Sequence, residues 1–288
     1  IYFVENKAFA DRIADQVLLN KRSREKADSA RTDYKKKVQG TIDMANRIAK
    51  FVDCASKDPQ ERELYIVEGD SALGSCKQGR DATFQALMPV RGKILNCLKT
   101  DLDKIFKSEI ITDLVKVIGC GAEIRGKSGK DLSLFDLNAL RYKRIIICTD
   151  ADVDGYQIRT LILTMFYRLI PTLIEKGYVY IAETPLYEIS CGKDTFFAFD
   201  DAEKAAILQK LEGKKVKIQR SKGLGENTGE MMWETTMNPA TRRLIRVTPD
   251  DEAETARMFD ILLGENLAGR KSYISEYGSR YIELADLS

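Results

Sequence analysis

The 288-residue sequence contains no histidine. That absence removes histidine general bases, Ser-His and Cys-His nucleophile pairs and imidazole zinc ligands together. Any chemistry must fall to carboxylates, Lys, Arg, Tyr or a metal. Long apolar runs are missing as well: residues 144–148 are too few to cross a bilayer, and 161–174 carry Arg168. No charged-then-apolar leader opens the chain, so membrane and secretory classes fall away. A strong net charge is also lacking, since 46 basic and 44 acidic residues leave +2; a bound polyanion would be held by local patches and not by an overall field. Finally, Cys54, Cys76, Cys97, Cys120, Cys148 and Cys191 include no C-x-x-C pair. They do not read as an extracellular disulfide framework, and a reduced, cytoplasmic protein is expected.

What is present suffices for one large or two ordinary domains, with 44% hydrophobic residues to build a core. The chain starts at Ile1, with a mixed apolar and charged sequence already under way, and is expected to be part of a longer polypeptide. Residues 6–52 are polar, without proline, and carry apolar Ile13, Val17 and Leu18 at helical spacing, which predicts long helices. The Lys-rich stretches at 21–26 and 35–37 read as a solvated helix face. A turn at Ser56-Lys57-Asp58-Pro59 ends this arm.

Two short apolar runs follow, and both stop in carboxylates. Residues 64–67 lead into Glu68-Gly69-Asp70-Ser71-Ala72, a strand turning into a helix N-terminus. Residues 144–149 read as a fully buried strand and end in Asp150-Ala151-Asp152-Val153-Asp154-Gly155. After Gly155, the spacing of Ile158, Leu161, Ile162, Met165, Phe166, Leu169 and Ile170 predicts a helix with a wide buried face, stopped by Gly177 before a strand at 178–182. A strand-helix-strand unit of this kind implies an α/β parallel sheet. Beyond it lie a hairpin (187–189 with 195–199), a helix (201–211), a strand (216–219) and then mostly helix. No internal repeat is present.

In extended backbone, residues i and i+2 point the same way. Asp150 and Asp152 are therefore expected to face one point beyond the strand, with Asp154 turned in by Gly155. That edge is where open α/β sheets place ligands. If the strand ending at Glu68 lies alongside, four like charges share a small space, which costs several kcal/mol without a cation. All-oxygen ligation with few protein contacts suits Mg²⁺ together with a substrate phosphate. A bland solvated turn is the alternative, since Asp and Gly are turn formers. A calcium EF-hand loop would need a glutamate at its twelfth position, which here is Leu161.

The stretch Gly121-Ala122-Glu123-Ile124-Arg125-Gly126-Lys127-Ser128 fits the P-loop pattern. A P-loop follows a strand and opens a helix, because its phosphate cradle is made of amides converging at a helix N-terminus. Here Ile111, Leu114, Val115 and Ile118 give the preceding segment helical spacing, and Gly129 and Asp131 stand where a helix should run. Residues 121–130 are read instead as a basic surface loop near DNA.

The blocks Tyr65-Ile66-Val67-Glu68-Gly69-Asp70-Ser71-Ala72 and Thr149-Asp150-Ala151-Asp152-Val153-Asp154-Gly155 closely resemble the two TOPRIM signatures of the B subunits of type IIA DNA topoisomerases, the gyrases and topoisomerases IV. Further blocks occur in family order: Lys77-Gln78-Gly79-Arg80-Asp81, Pro89-Val90-Arg91-Gly92-Lys93-Ile94-Leu95-Asn96, Gln219-Arg220-Ser221-Lys222-Gly223-Leu224-Gly225-Glu226 and Trp233-Glu234-Thr235-Thr236-Met237-Asn238-Pro239. The resemblance implies a Rossmann-like parallel sheet flanked by helices at 56–190, an N-terminal helical arm at 1–55 that ends a transducer domain, and a mostly helical C-terminal tail domain at 191–288. It implies that Glu68, Asp150 and Asp152 hold a catalytic Mg²⁺, for which Mn²⁺ or Ca²⁺ substitutes, with Asp154 assisting. It also implies DNA contacts from Arg91, Lys93 and Lys222, double-stranded DNA as substrate, and an A subunit that supplies the nucleophilic tyrosine in an A2B2 complex. ATP would be used only by the full-length protein. The chain departs from the family at Tyr156-Gln157, where Ser-His is common, at Leu73 in place of Gly, and at Ser221 in place of Tyr. A self-contained TOPRIM nuclease, primase or type IA topoisomerase and a P-loop ATPase are the competing classes.

Overall fold

The computed structural model describes residues 6–38, 48–123, 135–220, 223–249 and 251–284. In chain order the elements are α1 (Lys7–Val38), β1 (Glu63–Glu68), α2 (Gly69–Gly79), β2 (Gln85–Val90), α3 (Glu109–Ile118), β3 (Arg144–Cys148), α4 (Val153–Leu169), β4 (Val179–Glu183), β5 (Tyr187–Cys191), β6 (Asp194–Ala198), α5 (Asp201–Lys210), β7 (Lys217–Arg220), α6 (Gly229–Met232), β8 (Arg243–Arg246), α7 (Glu252–Leu263) and α8 (Leu267–Tyr277). The fold is mixed α/β with helices on both faces of a mainly parallel sheet.

That sheet has the order β2-β1-β3-β4-β8. The first four strands run parallel, and β8 joins antiparallel at the edge. β1 and β3 are buried on both faces, which parallel strands require. Alternation sends Leu64, Ile66, Ile145 and Ile147 into a large core with Ile158, Ile162, Phe166 and Leu169 of α4. The intervening Tyr65, Val67, Ile146 and Cys148 pack on the other face with Ala72 and Cys76 of α2 and with Leu224, Met232 and Met237 from far along the chain. A smaller sheet, β6-β5-β7, contains the expected hairpin and stands on its own small core around Ile189, Ala198 and Leu211.

Several local features differ from the sequence reading. The buried-face helix does not wait for Gly155 but starts at Val153, capped by Asp152. It also ends at Leu169, because Pro171 cannot continue it; a separate short helix at Pro171–Glu175 then leads to Gly177, which has a left-handed φ of 69°. Strand β2 is not signalled by the sequence: it carries Pro89, which an edge strand accepts, because among the described residues its outer side is bridged only at Leu87, by Val52, and the position of Pro89 needs no donor there. Strand β8 lies within the stretch expected to be mostly helix. In the arm, Ile13, Val17 and Leu18, whose spacing predicts the helix, are exposed along it.

Candidate metal centre

The register pairs Val67 with Cys148, so β1 and β3 end side by side and release Glu68 and Asp150 at the same sheet edge. Glu68 Oε2 accepts a hydrogen bond from the Asp150 amide at 3.1 Å. The Asp150 carboxylate takes the Leu224 amide on Oδ1 at 2.7 Å. Asp152 Oδ1 accepts from Gly155 N at 2.7 Å and caps α4. Asp154 pairs with Lys93 Nζ at 2.8 Å.

The backbone leaves the sheet after Cys148, so strand alternation does not extend to Asp150 and Asp152. A turn into the helix places them instead. Gly155 supplies close approach and not a left-handed bend: a Cβ there would stand 2.1 Å from the Asp150 carbonyl oxygen. The first turn of α4 thus folds back directly onto the residue that carries the central carboxylate.

Electrostatics bind the four acids into one unit. Burial pushes the Glu68 carboxyl above the usual range, and the charges of Asp150, Asp152 and Asp154 push it further, against the hydrogen bond from the Asp150 amide. Asp150 is raised by burial and by Asp152 and Glu226, against the Leu224 hydrogen bond. Among the described residues, no three Asp, Glu or Cys side chains already ring one point closely enough to hold an ion. The donor set nevertheless fits a hard divalent cation: the oxygens are carboxylates, and their mutual repulsion is what an added positive charge would relieve. Two flanking cations are engaged with acids at the same edge. Arg91 Nη2 lies 3.1 Å from Asp70 Oδ2, which Lys50 also contacts, and Lys93 holds Asp154. Arg91 and Lys93 remain about half exposed on either side of Gly92, whose left-handed φ of 62° turns the loop. Lys222 lies outside the described residues.

The other candidate chemistries find little support in the geometry. The segment before Gly121 is helix α3, closed by Gly119 with a left-handed φ of 94°, so no strand feeds the P-loop pattern. Lys127 and Ser128 lie outside the described residues. The six cysteines form no disulfide, and burial pushes the Cys97 and Cys120 thiols up to about 12, which makes poor nucleophiles of them. No described helix is long and apolar enough to cross a membrane.

Two family models match this chain: a Toprim domain over residues 63–184, and the carboxyl terminus of the DNA gyrase B subunit over residues 213–275. The DNA gyrase B subunit of Thermotoga maritima is 45% identical over 98% of this chain, and that of Thermus thermophilus is 46% identical over 97%. The chain belongs to the DNA gyrase B family. It spans 43% of the length of each of those two relatives and 40% of the gyrase B protein of Archaeoglobus fulgidus, to which it is 46% identical.

Within the gyrase B frame, the Toprim match starts at the first residue of β1 and ends just after β4. The carboxyl-terminal match includes Leu224, which reaches back to Asp150, and β8, which completes the sheet. Sequence reasoning missed Leu224 and Glu226 as neighbours of the acidic edge. A backbone amide has no residue signature, and Glu226 is 76 positions from Asp150.

The repulsion predicts a measurable response. Glu68→Gln should raise the melting temperature of the metal-free protein by a few degrees, since it removes one part-buried like charge yet keeps an acceptor for the Asp150 amide. The sign agrees with the direction of the shift. A carboxyl whose folded pKa is raised destabilises the fold above that pKa and ceases to do so as the pH falls through it. The gain of Glu68→Gln over the parent should therefore shrink on acidification, and scanning calorimetry at pH 7 and pH 5 would reveal it.

Proposed function

We propose that this chain provides the metal-binding half of a DNA cleavage and religation centre in an ATP-dependent type II topoisomerase. The partner is an A subunit whose tyrosine attacks the DNA phosphate, in an A2B2 complex acting in the cytoplasm. The observation that carries the reading is the pairing of Glu68 with Asp150 across adjacent parallel strands, with Asp152 and Asp154 close enough to raise the Glu68 pKa. Glu68, Asp150 and Asp152 would hold Mg²⁺, with Asp154 assisting and Mn²⁺ or Ca²⁺ able to substitute. When bound, the ion supplies charge stabilisation at the phosphate and the departing 3′ oxygen.

The chain's own residues do the rest. Glu68, whose carboxyl is held above its usual range, is the group placed to exchange a proton with that oxygen. Arg91 and Lys93, half exposed at the edge, exchange their present acidic partners for DNA phosphates, and Lys222 acts beside them. These contacts position double-stranded DNA without reading its sequence. Residues 1–55 serve as the arm, 56–190 as the Toprim unit and 191–288 as the tail, which lends β8 to the Toprim sheet. ATP binding belongs to a part of the longer protein outside this sequence.

The test uses the complete B subunit carrying this sequence, mixed with its A subunit and relaxed circular DNA. Negative supercoiling that requires both subunits, ATP and Mg²⁺ is expected. Mg²⁺-dependent cleavage by the complete B protein on its own would instead identify a self-contained Toprim nuclease, and ATP binding lost in Lys127→Ala would revive the P-loop.

A further inference from the structure

We propose that residues 223–226 of the tail form a wall of the metal centre and position Asp150 for the ion. The inference rests on the metal-binding role proposed above and adds a positioning element from the far end of the chain. Five contacts define the wall. The Leu224 amide donates to Asp150 Oδ1 at 2.7 Å. Gly223 lies so close that a Cβ on it would stand 2.8 Å from Asp150 Oδ2 and 3.4 Å from its Cγ, and the three nearest atoms all belong to that one carboxylate. On the other side, a Cβ on Gly225 would stand 2.5 Å from Ser71 Cβ, and Ser75 Oγ donates to the Gly225 carbonyl at 3.3 Å. The buried Leu224 side chain packs in the apolar cluster that also holds Val67, Ala72 and Cys148.

One short segment is therefore clamped against α2, which begins immediately after Glu68, and against the carboxylate of Asp150. Neither β1 nor β3 restrains the Asp150 side chain, because the backbone has already left the sheet. With Leu224 N–H on Oδ1 and Gly223 against Oδ2, the carboxylate is held from both sides, and its separation from Glu68 is set by how the tail docks on α2. Hydrogen-bonding partners that orient a ligand typically govern metal affinity about 10- to 100-fold. The Gly223 backbone is extended at φ −178°, so alanine there would be unstrained and its methyl would press on Asp150 first.

The experiment compares Gly223→Ala with the parent in the complete B protein, using Mn²⁺ titration calorimetry and the Mg²⁺ midpoint of DNA cleavage with the A subunit. Gly223→Ala is expected to weaken Mn²⁺ about tenfold and to raise the Mg²⁺ midpoint similarly. Cleavage at saturating Mg²⁺ should stay within about threefold of the parent, and the metal-free melting temperature should not change. Gly74→Ala, on the open side of α2 with nothing near its added Cβ, should leave the Mn²⁺ affinity, the Mg²⁺ midpoint and the cleavage level alone, while the gain in helix propensity raises its melting temperature by a few degrees. A folded Gly223→Ala with the parent's Mn²⁺ affinity overturns the proposal. If Gly223→Ala does not fold, Ser75→Ala decides: it loosens the clamp without touching a ligand, a two- to threefold loss of Mn²⁺ affinity is expected, and no loss overturns the proposal. Asp150→Asn run in parallel separates the two readings. Abolished Mn²⁺ binding there with unchanged binding in Gly223→Ala removes only the positioning role, whereas unchanged binding in both removes the metal centre itself.

Discussion

Asp150→Asn and Asp152→Asn are each expected to lower DNA cleavage by the reconstituted complex about 100-fold or more at saturating Mg²⁺, with the chain still folded. Asparagine is the informative replacement. Its side-chain oxygen can still accept from Leu224 N at position 150 and from Gly155 N at position 152, so only the charge is lost. Alanine should abolish cleavage too but would confound the result. At 152 it removes the cap of α4, costing about 1 kcal/mol, and at 150 it leaves a part-buried amide without its acceptor, costing about 1–3 kcal/mol. Because burial and its acidic neighbours raise the Asp150 pKa, Asp150→Asn should hold or raise the metal-free melting temperature. Full cleavage activity in either asparagine variant, with parental Mg²⁺ dependence, would refute the assignment.

Glu63→Ala should be the most damaging substitution for stability, at about 3–5 kcal/mol, because it leaves a buried cation without its partner. Glu63 is 1% exposed at the start of β1. It takes both guanidinium nitrogens of Arg242, one at 2.6 Å, together with Arg144 at 3.0 Å and Gln85 at 3.2 Å. Arg242 also donates to the Tyr65 hydroxyl at 2.9 Å, and that hydroxyl donates to the Thr236 carbonyl at 3.1 Å. The network ties β1, β2 and β3 to the tail. Burial alone would push the Glu63 carboxyl up, but the hydrogen bonds and charges of Arg242, Gln85 and Arg144 outweigh it and bring the pKa below its ordinary 4.5. A depressed carboxyl contributes stability that is present above its unfolded pKa and lost as the pH falls through the folded one. Urea unfolding of the parent should therefore weaken below pH 4.5, and that component should be missing from Glu63→Gln.

Much of the fold was legible because its signals are local. Three consecutive isoleucines at 145–147 can hardly be anything but a buried strand, and the helical spacing of residues 158–169 marks the face that covers it. β8 was illegible for the opposite reason: Arg243-Leu244-Ile245-Arg246 has too little pattern to specify a strand, and it becomes one only by pairing with β4. At the acidic edge the residue types were readable and their directions were not. Asp152 turned to its own helix, and Asp154 turned to Lys93.

By itself the sequence determined the chemistry available: no imidazole, a run of carboxylates after a buried strand, and cations close by. Those follow from composition and from neighbours within a few residues. Tertiary structure alone decided that β1 lies beside β3, which brings Glu68 to Asp150 across 82 positions, and that the tail returns to touch both the sheet and the carboxylate. Strand pairing and backbone-amide contacts are made by groups common to every residue, so no side-chain pattern announces them; burial of two sheet faces selects them once the whole chain has collapsed.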